Sequence, residues 1–496
     1  MVTATTHTGP VRGAETDGVF GFLGIPFAAP PIGELRWERP QPVAPWHGVR
    51  DATAFAKVAV QTIDSRAWDL REEQSEDCLY VNVWSPSLEP EALLPVMVWI
   101  HGGGFLNGSG SADWYDGAQL AKRGVVVVNL NYRLGAFGFL AHPDVGTNFG
   151  VLDWVAGLEW VAKNARAFGG DPDNVTVFGQ SSGAAAVRAL LSTPKARGLF
   201  HRGVIQSAGF DDYAYVESPS LARTTAASER MFEALGTRDI RELRQLPAED
   251  VRMASLAESG IFPPEGQVHT PANLTWYPVV DGDVIPTGDD EAWPDDLSVI
   301  FGTVADESRF FVAPTFVYAH PELDAAVIYS PETLVNMAER LGGAARAGIL
   351  GHYAASGLTA YEAIAELISA AVWFEPALVT LDRFAAAGKR VYSYRFARVS
   401  PGARESGMFA MHSVEIPYLF GHVLGESGFN EHDQLVSDAV QTAWIEFART
   451  GVPCNPDGTA WPRYELDDRM VEVIDESSHA EPLNIDPVVE LIRALR

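Results

Sequence analysis

Short, strongly apolar runs recur along the chain, and amphipathic stretches separate them. Val96–Ile100, Val125–Asn129, Val175–Phe178, Gly203–Gln206, Val299–Thr303 and Arg390–Tyr394 read as strands. Several are apolar at every position, as a strand must be when both of its faces are covered. Leu152–Asn164, Ala184–Leu191, Ser220–Leu235, Ala360–Ala371 and Leu435–Thr450 read as helices. Strands and helices in alternation predict an α/β fold, with a large, mostly parallel central sheet and helices on both faces. From Asp211 to Pro294 polar helical and loop segments break the alternation, and residues 211–294 are expected to form a helical cap insertion over the site. No Ser/Gly-rich linker, low-complexity tract or internal repeat divides the chain, so residues 1–496 are expected to form one domain.

Two of the strands end in sequences that carry chemistry. Val175-Thr-Val-Phe runs into Gly179-Gln-Ser-Ser-Gly183, and a helical run follows. This is a G-x-S-x-G elbow: a serine on a tight strand-to-helix turn, its hydroxyl pushed out of the sheet. The helix start behind it aims free N–H groups and the positive end of a dipole at the same place. Leu94-Pro-Val-Met-Val-Trp-Ile100 runs into His101-Gly-Gly-Gly-Phe105. Three successive glycines leave backbone N–H groups unshielded, as an oxyanion-binding loop requires. A phosphate loop is excluded, since no Gly-Lys-Ser/Thr follows and no G-x-G-x-x-G opens a helix. Together these features point to Ser181 as a nucleophile and to a serine hydrolase with the α/β-hydrolase fold. No His-Glu-x-x-His or clustered His/Cys spacing is present, so neither a metal nor a cofactor is expected.

Charge and cysteine content narrow the setting. The formal net charge is −29. Such a surface repels nucleic acid and anionic membranes, so neither is expected as a partner; a small-molecule substrate is, and the chain is expected to act as a monomer. Met1–His7 has neither a basic segment nor an apolar core, and no apolar run is expected to reach the length of a membrane span. With only Cys78 and Cys454, no disulfide framework is expected, and a reducing cytoplasm is the expected compartment.

Longer motifs run through nearly the whole chain. They include Phe22-Leu-Gly-Ile-Pro-Phe-Ala-Ala-Pro-Pro31 with Arg36-Trp37, Ser75-Glu-Asp-Cys-Leu-Tyr-Val-Asn-Val-Trp84, Asn131-Tyr-Arg-Leu-Gly135, Phe168-Gly-Gly-Asp-Pro172, Tyr277-Pro-Val-Val-Asp-Gly282 and Phe447-Ala-Arg-Thr-Gly451. In these the chain resembles the type-B carboxylesterase and cholinesterase family, and within it a bacterial esterase. The resemblance implies a catalytic triad. Phe409-Ala-Met-His-Ser-Val-Glu-Ile-Pro-Tyr-Leu-Phe-Gly421 resembles the histidine segment and implies His412 as the base. Phe301-Gly-Thr-Val-Ala-Asp-Glu-Ser-Arg-Phe310 resembles the acid segment and implies Glu307, with Asp306 as the alternative. The order Ser181, Glu307, His412 is that of the α/β-hydrolases. The N–H groups of Gly103, Gly104 and Ser182 are the expected oxyanion hole. His101 is read as structural, as are the pairs Arg36 with Glu76 and Arg133 with Asp153.

The chain departs from the family at several positions. Gln180 replaces the usual glutamate before the nucleophile and Ser182 the usual alanine after it, so Gln180 is read as a substrate-binding residue. Ala59 stands where the family places the disulfide partner of Cys78, and Gly209 where animal members often carry a serine. Trp68 lies ten residues before Cys78, the spacing at which cholinesterases place a tryptophan that stacks on a quaternary ammonium; it is the second candidate substrate contact. The function expected is carboxylic-ester hydrolysis through an acyl-enzyme on Ser181. The alternatives are an aryl-carbamate or amide hydrolase using the same triad and, more remotely, a non-catalytic binding protein.

Overall fold

The computed structural model describes residues 1–61, 73–208, 220–261, 268, 270, 273–286, 293, 296–312 and 329–496. Among them, one sheet runs through the molecule. Its strands are β1 (Val2–Thr6), β2 (Gly9–Thr16), β3 (Val19–Pro26), β4 (Arg50–Asp51), β5 (Tyr80–Ser85), β6 (Leu94–Ile100), β7 (Val126–Leu130), β8 (Gly170–Gln180), β9 (Arg202–Gln206), β10 (Ser298–Val304), β11 (Arg390–Phe396), β12 (Met470–Ile474) and β13 (His479–Pro482). They lie in the order β1-β2-β3-β5-β7-β6-β8-β9-β10-β11-β12-β13, with the short β4 beside β2. From β7 across to β12 every neighbouring pair is parallel. The antiparallel pairs lie at the two edges.

The central strands are apolar throughout because they serve two cores. Along β6, Val96, Val98 and Ile100 enter the core on one face of the sheet, and Met97 and Trp99 enter the core on the other. Side chains alternate across a strand, so covering both faces requires an apolar residue at every step. The edge strands β1 and β2 have polar residues on one side, and their short Thr- and Gly-rich segments gave no apolar run to read. All six strands expected from the sequence are present, each within a few residues of its expected ends.

The helices that concern the site are α1 (Phe149–Asn164), α2 (Ser182–Ser192), α3 (Leu221–Ala234), α4 (Ile240–Gln245), α5 (Ala248–Ala257), α6 (Ala360–Ser369), α7 (Glu375–Ala386), α8 (Ile416–Phe420) and α9 (Glu431–Thr450). Helix α9 begins four residues before its expected start. Its first turn, Glu431-His-Asp-Gln434, is polar, and a capping box between Asn430 and Asp433 starts the helix where no apolar periodicity yet exists. Helices α6 and α7 are joined by a π-helical turn, Ala370–Phe374. This corrects one expectation: the continuous helix Ala360–Ala386 is long and apolar enough to span a membrane by composition. Its most apolar window is 83% buried inside the protein, so its apolarity serves the core.

Helices α3, α4 and α5 lie between β9 and β10, within the segment expected as an insertion. They are tied to the N-terminal part of the chain. Arg36 holds Glu76 bidentately at 2.7 and 2.6 Å and donates its remaining nitrogen to the carbonyls of Leu243 and Leu246 at the end of α4. Arg133 pairs with the fully buried Asp153 at 2.8 and 2.7 Å. Such pairs contribute little net stability against an apolar alternative, but breaking one strands a buried charge.

Candidate active site

Parallel register puts the ends of three strands at one edge. Ile100 pairs with Gly179, Gln180 with Gln206, and Gln206 with Gly302. The loops after β6, β8 and β10 therefore leave the sheet side by side, at the carboxyl edge where α/β sheets place their ligands.

Ser181 sits between β8 and α2 with φ 58° and ψ −128°. A serine in this conformation is strained, and the fold holds it there. Its N–H donates to Gln206 O at 2.8 Å, and its carbonyl accepts from Ala184 and Ala185 at 2.9 and 3.0 Å. The flanking glycines are steric necessities. A Cβ on Gly183 would lie 2.0 Å from Ile100 O, and one on Gly179 would lie 2.5 Å from the Gly183 carbonyl.

The loop after β6 turns at Gly103, Gly104 and Phe105 with φ of 112°, 65° and 59°. Its carbonyls are used internally: Gly103 O accepts from Leu106 and Asn107. Gly103 and Gly104 line a cavity that Ser181 also borders. His101 pins the loop. Its Nδ1 lies 2.8 Å from Gly102 O, Tyr132 donates to its carbonyl at 2.9 Å, and its ring stacks on Tyr132 at 4.4 Å. Burial lowers the His101 pKa to about 4, so the ring stays neutral under ordinary conditions.

His412 lies on the loop before α8, and Glu307 on the loop after β10. Their side chains meet: Nδ1 is 2.6 Å from Glu307 Oε2, and the His412 N–H lies 3.3 Å from Glu307 O. Glu307 is fully buried, and its Oε1 accepts from Val304 N–H at 3.0 Å. Asp306 points elsewhere. It pairs with Arg309 and accepts from Ala410 N–H, knitting the two loops together. Phe311 and Trp373, the latter on the π-helical turn, wall the imidazole at 5.2 and 5.3 Å.

Ser181, His412, Gln180, Gly103 and Gly104 all border one cavity of about 150 Å³. Its other walls are largely apolar, with Leu106, Trp114, Ile261, Leu274, Phe310 and Ile416 among them. Ser182 is fully buried at the start of α2, directly after the elbow. Trp68 and Gly209 lie outside the described residues.

The matching of known proteins to this chain is nearly end to end. Residues 2–485 match the model of the carboxylesterase family. The chain belongs to the carboxylesterase family. Fumonisin B1 esterase from Sphingopyxis macrogoltabida is 36% identical over 97% of this chain and 88% of its own length. Para-nitrobenzyl esterase from Bacillus subtilis (strain 168) is 34% identical over 95% of this chain and 94% of its own. The solved carboxylesterase EST55 of Geobacillus stearothermophilus superposes with a TM-score of 0.81 at 34% identity, each chain covered in full. The fold is the α/β-hydrolase fold, and the protein is a carboxylic-ester hydrolase.

Within this carboxylesterase, one buried residue near His412 escaped the sequence reading, and another makes a contact that the sequence did not show. Glu415, three residues after His412, is buried, and burial together with the nearby Glu307 raises its pKa to about 8. A lone acid between Val414 and Ile416 was the available signal. Gln180 was read as a substrate contact, but its Nε2 also lies 3.1 Å from His412 Nε2. Ala59 and Cys78 line one small cavity, and both cysteines are free thiols.

Proposed function

We propose that this carboxylesterase hydrolyses neutral esters with Ser181 as nucleophile, His412 as general base and Glu307 as the carboxylate that orients the base. Ser181 Oγ attacks the ester carbonyl, and its proton passes to His412 Nε2. Glu307 holds the Nδ1–H and favours the imidazolium that forms. The N–H groups of Gly103, Gly104 and Ser182 receive the carbonyl oxygen as it becomes negative. The tetrahedral intermediate then expels the alcohol, which takes the proton from Nε2. Water, deprotonated by the same nitrogen, releases the acid from Ser181. The observation that carries this reading is the 2.6 Å contact between His412 Nδ1 and Glu307 Oε2 beside the strained serine. The apolar walls of the cavity support an uncharged ester. Two free thiols support the cytoplasm as its compartment.

The choice of carboxylate gives the test. Glu307→Gln leaves a neutral amide against Nδ1 and is expected to lower kcat/KM for p-nitrophenyl butyrate on the order of 10³–10⁴-fold. Asp306→Asn breaks a part-exposed ion pair and should stay within about tenfold. The reverse order would mean that the wrong carboxylate has been assigned. Running an aryl carbamate and an anilide beside the ester measures the two rival substrate classes with the same variants.

A further inference from the structure

Gln180 is 2% exposed, and its side-chain nitrogen faces the ring nitrogen of His412 that the proposed chemistry uses, at 3.1 Å. The other ring nitrogen lies 2.6 Å from Glu307 Oε2. A carboxylate oxygen accepts, so the ring proton sits on Nδ1 and Nε2 carries a lone pair. The amide has hydrogens only on its nitrogen, so Nε2 of Gln180, and not Oε1, must face that lone pair. The absence of a side chain at Gly102 leaves the amide its room. A Cβ on Gly102 would lie 3.2 Å from Gln180 Oε1 and 2.8 Å from the Gln180 carbonyl oxygen. Among the described residues, Glu307 and Gln180 are the hydrogen-bond partners of the imidazole, and no hydrogen bond joins the ring to Ser181 Oγ.

We propose that Gln180 is a positioning residue that latches the general base: in the free enzyme its amide occupies the His412 lone pair, and an entering ester hands that lone pair to the Ser181 hydroxyl. The proposal rests on the reading of His412 as the base. Once the Ser181 proton has moved to Nε2, that nitrogen is a donor and repels the Gln180 N–H. The amide must then withdraw or turn its oxygen to the ring. The latch therefore favours the neutral imidazole over the protonated one. A carboxylate in its place would have no hydrogen to give the neutral ring and would favour the protonated ring.

Other charged or titratable groups surround the imidazole among the described residues. Glu307 follows β10, Glu415 lies on the histidine loop, and Asp306 is paired with Arg309. Tyr115 and Tyr394 are close enough to Glu415 to feel its charge. Substituting Gln180 leaves all of them in place, so a change in pH profile reports on the amide itself.

The test is the pH dependence of kcat/KM for p-nitrophenyl butyrate in the wild type, Gln180→Met and Gln180→Glu, with Ser181→Ala as the reference for lost chemistry. Methionine matches the length of the side chain and removes the donor. Its acid limb should move to higher pH by about 0.4–1 unit, the worth of one neutral hydrogen bond. Gln180→Glu should move the limb further in the same direction. Gln180→Met decides the question, because a carboxylate at this position would move the limb with or without a latch. An acid limb that stays in place in Gln180→Met, whether or not KM changes, would leave Gln180 as a wall of the cavity and overturn the latch. Activity retained by Ser181→Ala would instead overturn the assignment of the site, so the two failures are distinct.

Discussion

Glu415 has a displaced ionisation close to Glu307 and His412, and its sign can be followed through to stability. Burial and the neighbouring Glu307 raise its pKa from 4.5 to about 8. The native protein therefore keeps a proton over a pH range in which the unfolded chain has released it. The stability this supplies is complete below about pH 4.5 and is lost as pH rises through about 8. Glu415→Gln removes the titration but keeps the shape. Relative to the wild type, the variant's melting temperature should rise steadily from pH 5 to pH 8.5; parallel curves would show that Glu415 is not held protonated. The residues of the site differed in legibility for a physical reason. Ser181 and the glycines of the β6 loop act through backbone conformation, which nearby sequence dictates. Glu307 and His412 stand 105 positions apart, and only the folded chain brings them together. Their assignment came from resemblance, and spacing alone could not supply it. The Gln180 latch was hidden for another reason, since the sequence names the amide but not the atom it faces.

At the scale of elements, the sequence was readable wherever burial imposed a period. The strands β6 to β11 were legible because two cores demand apolar residues at every step. The edge strands β1 and β2, the short helices α4 and α5, and the first turn of α9 were not. Those segments are held by caps, turns and single contacts that leave little apolar pattern. The elbow shows how tightly the elements are fitted. Gly179 and Gly183 let α2 start against the end of β6, with backbone atoms within 3 Å of where a Cβ would stand. The π-helical turn between α6 and α7 was also invisible in the sequence. It places Trp373 against His412, and π-helical turns tend to occur at functional sites.

For the whole molecule, the decisive contest is between a long-range field and a local one. A net charge of −29 attracts cations, yet among the described residues no carboxylate borders the active-site cavity. The field of surface charges decays over about 8 Å at physiological salt, so the local environment should govern selectivity. We expect kcat/KM for 3,3-dimethylbutyl butyrate to equal or exceed that for butyrylcholine at 0.15 M salt. A tenfold preference for the cation would contradict this and would direct attention to Trp68. The α/β architecture and its central sheet were legible from alternation alone, and the family from motifs spread across the chain. The account as a whole depends on Ser181 being the nucleophile. The most direct measurement is peptide mass spectrometry after reaction with a fluorophosphonate, in the wild type and in His412→Ala. The account predicts one adduct, on Ser181, formed at the rate at which esterase activity disappears and strongly slowed in the variant. An adduct on Ser182, or complete inactivation with Ser181 unmodified, would contradict it.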